Sequence, residues 1–156
     1  MSGRERELRR EDLLEDGVQQ FRVWFDEAQA EGVPLPEAFA LATASAAGQP
    51  AARMLLLKSV DEDGFVFGTS YESRKGRELT ENPHAALLFY WHALGRQVRV
   101  QGTVEQVVEG ESDVIFLARP RASRISALAS HQSEPLAARE QLEARVRELE
   151  AELEGR

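Results

Sequence analysis

The stretch HAALLFYWHALGRQVRVQGTV, residues 84–104, most limits what this chain can become. Two apolar arms flank His92-Ala93-Leu94-Gly95. In the second arm Val98, Val100 and Val104 fall on one face and Gln97, Arg99, Gln101 and Thr103 on the other. A period of two on either side of a Gly-containing turn is the signature of an antiparallel hairpin. One face must cover a core, which leaves the other to offer polar side chains to a ligand or a partner.

Related signals recur upstream. AFALATASAAGQPAARMLLLKSVDEDGFVFGTS, residues 38–70, reads as three strands with turns at Ala47-Gly48-Gln49-Pro50 and Asp61-Glu62-Asp63-Gly64. Helices frame the strands. Residues 11–31 carry Leu14, Val18, Phe21, Phe25 and Ala28 at helical spacing, with Trp24 beside them, and Gly32, Pro34 and Pro36 end the run. Ser73 reads as the N-cap of a short helix that stops at Asn82-Pro83. A helix is expected over 110–118, then a basic loop or second short helix, then a long helix over 134–154. In that last helix Leu142, Val146, Leu149 and Leu153 could form a coiled-coil seam, but so short a run better suits a helix laid on its own domain. Consecutive antiparallel strands with helices at the ends predict an α+β domain built on a β-barrel or strongly bent sheet. Residues 1–156 read as one domain, with a helical segment over 1–35, barrel strands over 36–108 and a helical part over 109–156.

Composition narrows the function. The chain has 156 residues, 42% hydrophobic and 29% charged, a globular balance able to bury a core without staples. No apolar run approaches the roughly 20 residues a membrane-spanning helix needs. The N-terminal MSGRERELRRED is too charged for a secretory leader, and the lack of cysteine excludes disulfides, thiol catalysis and zinc–thiolate sites; both fit a cytoplasmic protein. A net charge of −8 argues against a nucleic-acid surface. Positive charge is concentrated locally: RPRASRISALASHQS, residues 119–133, holds Arg119, Arg121 and Arg124 and no acid. A small basic site within an acidic shell suits a small anionic ligand.

Three stretches are candidates to bind that ligand. In SYESRKGREL, residues 70–79, Arg74 and Lys75 sit in the first turn of a helix, where the dipole already favours acids. They make sense if that turn holds a phosphate on its free N–H groups, with Arg74 as a fork, Lys75 as a point charge and Ser73 as a hydroxyl donor. An exposed basic turn is the alternative. In RMLLLK, Arg53 and Lys58 bracket an apolar strand and fall on opposite faces, so they meet one ligand only if a bulge or the strand end redirects one; both could instead reach solvent at strand ends. In 119–133 several donors lie together without a carboxylate, an anion pocket or a solvated loop. His84, His92 and His131 show no metal-ligand spacing, and no nucleophile motif is present, so no side chain is assigned as catalytic and a cofactor must supply any reactivity.

Taken in order, GQPAARMLLLK, GFVFGTSYESRKGREL, NPHAALLFYWHALGRQVRVQG and RPRASRISALASHQS resemble the pyridoxine/pyridoxamine 5′-phosphate oxidases, FMN-binding split-barrel enzymes, over about residues 15–150. The resemblance implies a split β-barrel with flanking helices in a homodimer, with FMN between the subunits. It implies FMN contacts from Arg53, Met54, Leu55, Lys58, Gly68, Thr69, Ser73, Arg74, Lys75, Gln97, Gln132 and Ser133. It implies substrate-phosphate contacts from Lys58, Arg119 and Ser123, and oxidation of the vitamer by O₂ with release of H₂O₂. Ile115 stands where the family usually has a phosphate-binding tyrosine, and the family's W-G-G segment and R-L-H-D-R-like motif are not matched in these residues. FMN binding is therefore expected more firmly than any one substrate. A phenazine-type flavin oxidase and a non-catalytic FMN- or pyridoxal phosphate-binding protein are the rival expectations.

Overall fold

A computed structural model describes residues 8–154; most of the charged N-terminal stretch, residues 1–7, lies outside the described residues. A single 3-10 turn at Arg10–Asp12 precedes α1 (Gly17–Ala30), which is followed by β1 (Ala38–Ala44), β2 (Pro50–Val60), β3 (Phe65–Phe67), α2 (Arg74–Glu81), β4 (His84–Trp91), β5 (Arg96–Thr103), α3 (Glu109–Leu117), α4 (Arg121–Ala129) and α5 (Arg139–Glu152). The five strands form one antiparallel sheet in the order β3-β2-β1-β4-β5. The expected strands and hairpin are all present. The hairpin turns through a 3-10 step at His92–Leu94, and Gly95, at φ 61°, takes the left-handed conformation that closes it.

Two helix starts differ from the sequence reading. The first helix begins at Gly17 rather than at residue 11, because the Asp16 side chain accepts the Gln19 N–H and fixes the N-terminus there; Leu14 is left outside it and exposed. The last helix begins at Arg139 rather than at 134. A turn at 132–133 and irregular chain through Pro135 precede it, and Ala138 caps the helix without a side-chain hydrogen bond. The segment after α3 is a second short helix, α4, not a loop.

Registry assigns the two sheet faces. On one, Phe39 pairs with Leu55, Leu41 with Arg53 and Leu87, and Phe89 with Val98. This face packs against α1, and Phe21, Phe39, Leu41, Phe89 and Trp91 form its fully buried aromatic and aliphatic centre. Each such side chain contributes about 1.5–3 kcal/mol on burial. The Trp91 indole donates to Pro36 O at 2.9 Å, so its polar edge is satisfied. On the other face, Met54 pairs with Ala40, Ala40 with Leu88, and Tyr90 with Gln97. Met54 and Tyr90 are 64% and 60% exposed, and Leu56 and Leu88 are also open to solvent. A second, smaller core joins α4 to α5: Ile125, Ala129 and Leu149 are buried, with Leu142, Val146 and Leu153 packed on them. The four-three-four apolar run is thus used within the chain. Among the described residues no helix is long and apolar enough to cross a membrane.

Candidate functional site

The site is built where α2 meets the polar end of the core-facing sheet surface. Ser73 caps α2: its Oγ accepts the Gly76 N–H at 3.3 Å and donates to Ser70 O at 2.7 Å. Gly76 is required by space, since a Cβ there would lie 2.1 Å from Tyr71 O. The N–H groups of Arg74 and Lys75 precede the first intrahelical donor, the Arg77 N–H that bonds Ser73 O, as in any helix start.

Arg53 is a cation on the face that elsewhere carries Leu41, Leu55 and Leu57. Its guanidinium donates to Thr43 Oγ1 at 2.6 Å, to Leu41 O at 3.4 Å and to Glu78 Oε2 at 3.1 Å. The Thr43 hydroxyl donates in turn to Glu78 Oε2, and Arg74 Nε donates to Glu78 Oε1 at 2.7 Å. The Thr43 hydroxyl foremost holds the buried Glu78 carboxyl below its ordinary range; burial pushes it up, and the Arg74 and Arg53 contacts add to the lowering. Lys75, only 5% exposed, donates to Gln132 Oε1 at 2.8 Å and to Ser73 Oγ at 3.3 Å. Burial, reinforced by Arg53, lowers its pKa. Arg53 and Arg74 share the one carboxylate of Glu78 and Lys75 lies within the field of Arg53, so these three cations and one anion leave the region two charges positive, the charge a phosphate monoester dianion balances.

The exposed-basic-turn alternative does not describe Lys75, which is buried; Arg74 is exposed but paired one helical turn on with Glu78. Of the expected site residues, Arg53 and Arg74 join Thr43 and Glu78 in one hydrogen-bonded group, and Ser73, Lys75 and Gln132 form a second group beside it at the same helix start. Thr69 lies just ahead of it with a buried Oγ1 that has no partner, and Ser133 holds a left-handed φ of 72° beside Gln132. An orphaned buried hydroxyl costs about 1–3 kcal/mol, and strain of this kind gathers at ligand sites. Both fit a group held from outside the chain.

Other expected residues are placed elsewhere. The parity that would send Arg53 and Lys58 to opposite faces is interrupted between them. A bulge between Leu57 and Ser59 lies at Lys58, which is exposed and lines a crevice with Phe21, Arg22, Phe25 and Asp26 of α1. Leu55 packs toward the aromatic core, and Met54 points to the open face. Gln97 is on that same open face, opposite Tyr90. Gly68 is covered by α3, with Ile115 Cγ2 3.4 Å from where its Cβ would be. Arg119 and Ser123 are half-buried at and after the start of α4. Among the described residues, no hydrogen bond ties Lys58, Gln97, Arg119 or Ser123 to the cluster. Sequence reasoning missed Glu78 and Thr43. The i,i+4 spacing of Arg74 and Glu78 could have found the first, and strand parity with Arg53 the second.

Residues 25–152 match the family model described as pyridoxamine 5′-phosphate oxidase. A pyridoxine/pyridoxamine 5′-phosphate oxidase from Rubrobacter xylanophilus is 52% identical over 161 residues, covering 100% of this chain and 74% of that protein. One from Bordetella avium is 57% identical over 134 residues, covering 86% of this chain and 63% of its own length. Among solved structures, PhzG from Burkholderia lata, crystallised with tetrahydrophenazine-1-carboxylic acid, superposes with a TM-score of 0.88 at 36% identity, over 90% of this chain and 70% of that one. A pyridoxamine 5′-phosphate oxidase-related, FMN-binding protein from Nostoc punctiforme shares the fold, with a TM-score of 0.65 at 18% identity over 84% of this chain and 73% of that one.

Proposed function

The chain belongs to the pyridoxamine 5′-phosphate oxidase family, and from that premise we propose that it binds FMN and oxidises pyridoxine or pyridoxamine 5′-phosphate to pyridoxal 5′-phosphate, consuming O₂ and releasing H₂O₂. The observation that carries the reading is the excess of positive charge at the start of a helix capped by Ser73, where Arg53 and Arg74 share Glu78 and the buried Lys75 bonds Ser73 and Gln132. Bound FMN supplies a two-electron acceptor for the substrate and a donor to O₂. The chain's own residues bind and orient. Arg74 and Lys75 hold the flavin phosphate, with the first-turn N–H groups of α2. The unpartnered Thr69 hydroxyl, and Gln132 and Ser133 beside Lys75, supply further cofactor contacts. Arg119, Ser123 and Lys58 are assigned to the phosphate of the vitamer.

We assign the open sheet face bearing Met54, Leu88 and Tyr90 to a second copy of the chain, giving a homodimer. Large apolar side chains paired across neighbouring strands and exposed together mark a contact surface. Gln97 stands on this face and would reach a flavin held between two subunits.

Oxidation of a larger, non-phosphorylated aromatic is a second reading. It is favoured by the close superposition on PhzG and by Ile115, an apolar side chain packed over Gly68. The absorbance spectrum of purified protein tests the first step, because flavin bands that bleach with pyridoxine 5′-phosphate and recover in air are expected. Bleaching only with a phenazine precursor selects the second reading. Retained flavin bands with no turnover select a binding protein. A colourless preparation that takes up no added FMN ends all three.

A further inference from the structure

The Glu78 carboxylate is a negative group inside a site assigned to a phosphate. If the cluster were tuned only for attraction, that charge would be a defect. Its geometry points to another role. Each oxygen holds a different guanidinium: Oε1 takes Arg74 Nε at 2.7 Å, and Oε2 takes Arg53 at 3.1 Å. The carboxylate therefore spaces the two forks apart as well as neutralising them. Glu78 is in turn fixed from β1, where the Thr43 hydroxyl donates to Oε2 while accepting from Arg53 at 2.6 Å. Thr43 and Glu78 are buried and Arg53 is mostly so, which fixes the carboxylate by packing; Arg74 is exposed, so its bond to Glu78 is what orients it. Two long arginine side chains held in this way lose less conformational freedom when they meet a ligand.

We propose that Glu78, braced by Thr43, is the positioning residue of the cofactor site, holding Arg53 and Arg74 in the orientation that selects a phosphate-bearing flavin over riboflavin. This rests on the FMN reading above and deepens it. The opposing expectation has the opposite sign: if Glu78 only diluted the positive charge, removing it would tighten FMN.

The experiment is fluorescence-quench titration of flavin-free protein with FMN and, separately, with riboflavin, for wild type, Glu78→Gln, Thr43→Val and Thr43→Ser. Glutamine has nearly the same shape, but it replaces one acceptor with an amide donor that faces a guanidinium, so one arginine must swing away. FMN affinity is expected to fall about tenfold or more in Glu78→Gln, the scale of one lost charge-assisted hydrogen bond, while riboflavin affinity changes less than about twofold. Thr43→Val leaves every charge in place and is expected to weaken FMN by a smaller factor in the same direction. Thr43→Ser, which keeps the hydroxyl, restores it. The valine and serine variants carry the test should Glu78→Gln not fold. Equal or tighter FMN binding by Glu78→Gln, or equal losses for FMN and riboflavin in both Glu78→Gln and Thr43→Val, overturns the proposal alone. Wild-type protein that binds neither flavin overturns the FMN reading and this inference with it.

Discussion

Lys75 Nζ donates a 2.8 Å hydrogen bond to Gln132 Oε1 across 57 positions of sequence. Two stretches that look unrelated along the chain, the basic turn of α2 and the acid-free segment after α4, are joined at one buried ammonium. Changing either partner should therefore be felt at the other. Arg74→Ala combined with Lys75→Ala is expected to preserve the fold by circular dichroism while weakening FMN. The loss should be on the order of 1.5–3 kcal/mol per charge-assisted contact, less any non-additivity. Calorimetric titration measures it, and an unchanged FMN isotherm would remove both residues from the site.

Gly76 should tolerate no side chain. A Cβ at this position would meet Tyr71 O at 2.1 Å and Ser70 O at 2.8 Å, both backbone atoms that cannot rotate aside. Gly76→Ala is expected to destabilise by at least about 1–3 kcal/mol through overpacking, despite alanine's better helix propensity. Urea denaturation reads the difference. A gain in stability would mean that the 70–76 turn is differently built.

Acid should loosen the site through Glu78. Its pKa is lowered from the ordinary 4.5, first by the Thr43 hydroxyl and then by Arg74 and Arg53. A depressed carboxyl contributes stability that is complete above its unfolded value and is lost as pH falls through the folded one. Lys75 has the other sign: burial lowers its pKa, so its charge opposes folding, and that cost lifts as pH rises toward 10.5. Wild type is expected to lose urea resistance below about pH 4, and Glu78→Gln to show a shallower acid limb. Parallel acid limbs in the two proteins would place the titrating group elsewhere.

The open sheet face should respond to charge by coming apart from its partner. Leu88→Asp alters an exposed side chain, so the fold is expected to survive while sedimentation shifts from dimer to monomer. FMN affinity should drop with it if the cofactor is held between subunits. A wild-type protein that sediments as a monomer at all concentrations would remove the dimer from the proposal.

Much of this architecture was legible because it depends on local signals. Alternation in 96–103, Gly95 in the hairpin turn, and Ser73 ahead of 74–81 each specify structure within a few residues. The start of α1 was misjudged because Leu14 continues the apolar spacing, while Asp16, a better cap, halts the helix after it. The site was half legible. Cations at a helix start announce themselves, but Glu78 looks like an ordinary surface acid until β1 brings Thr43 against it. Pairing between strands and a helix tens of residues apart has no periodicity to read. The link from Lys75 to Gln132 is of the same kind.

Arg53 faces Leu41 across the β1–β2 ladder, on the side of the sheet that buries Phe39 and Trp91. The interior is thus graded, oily at the Trp91 end and ionic at the Thr43 end. An ionic end cannot be sealed by closer packing of greasy residues, so its tightness depends on whichever anion dissolves there. Melting temperature in such a protein reports on the ligand, and it goes on rising with the logarithm of free ligand even after the site is full.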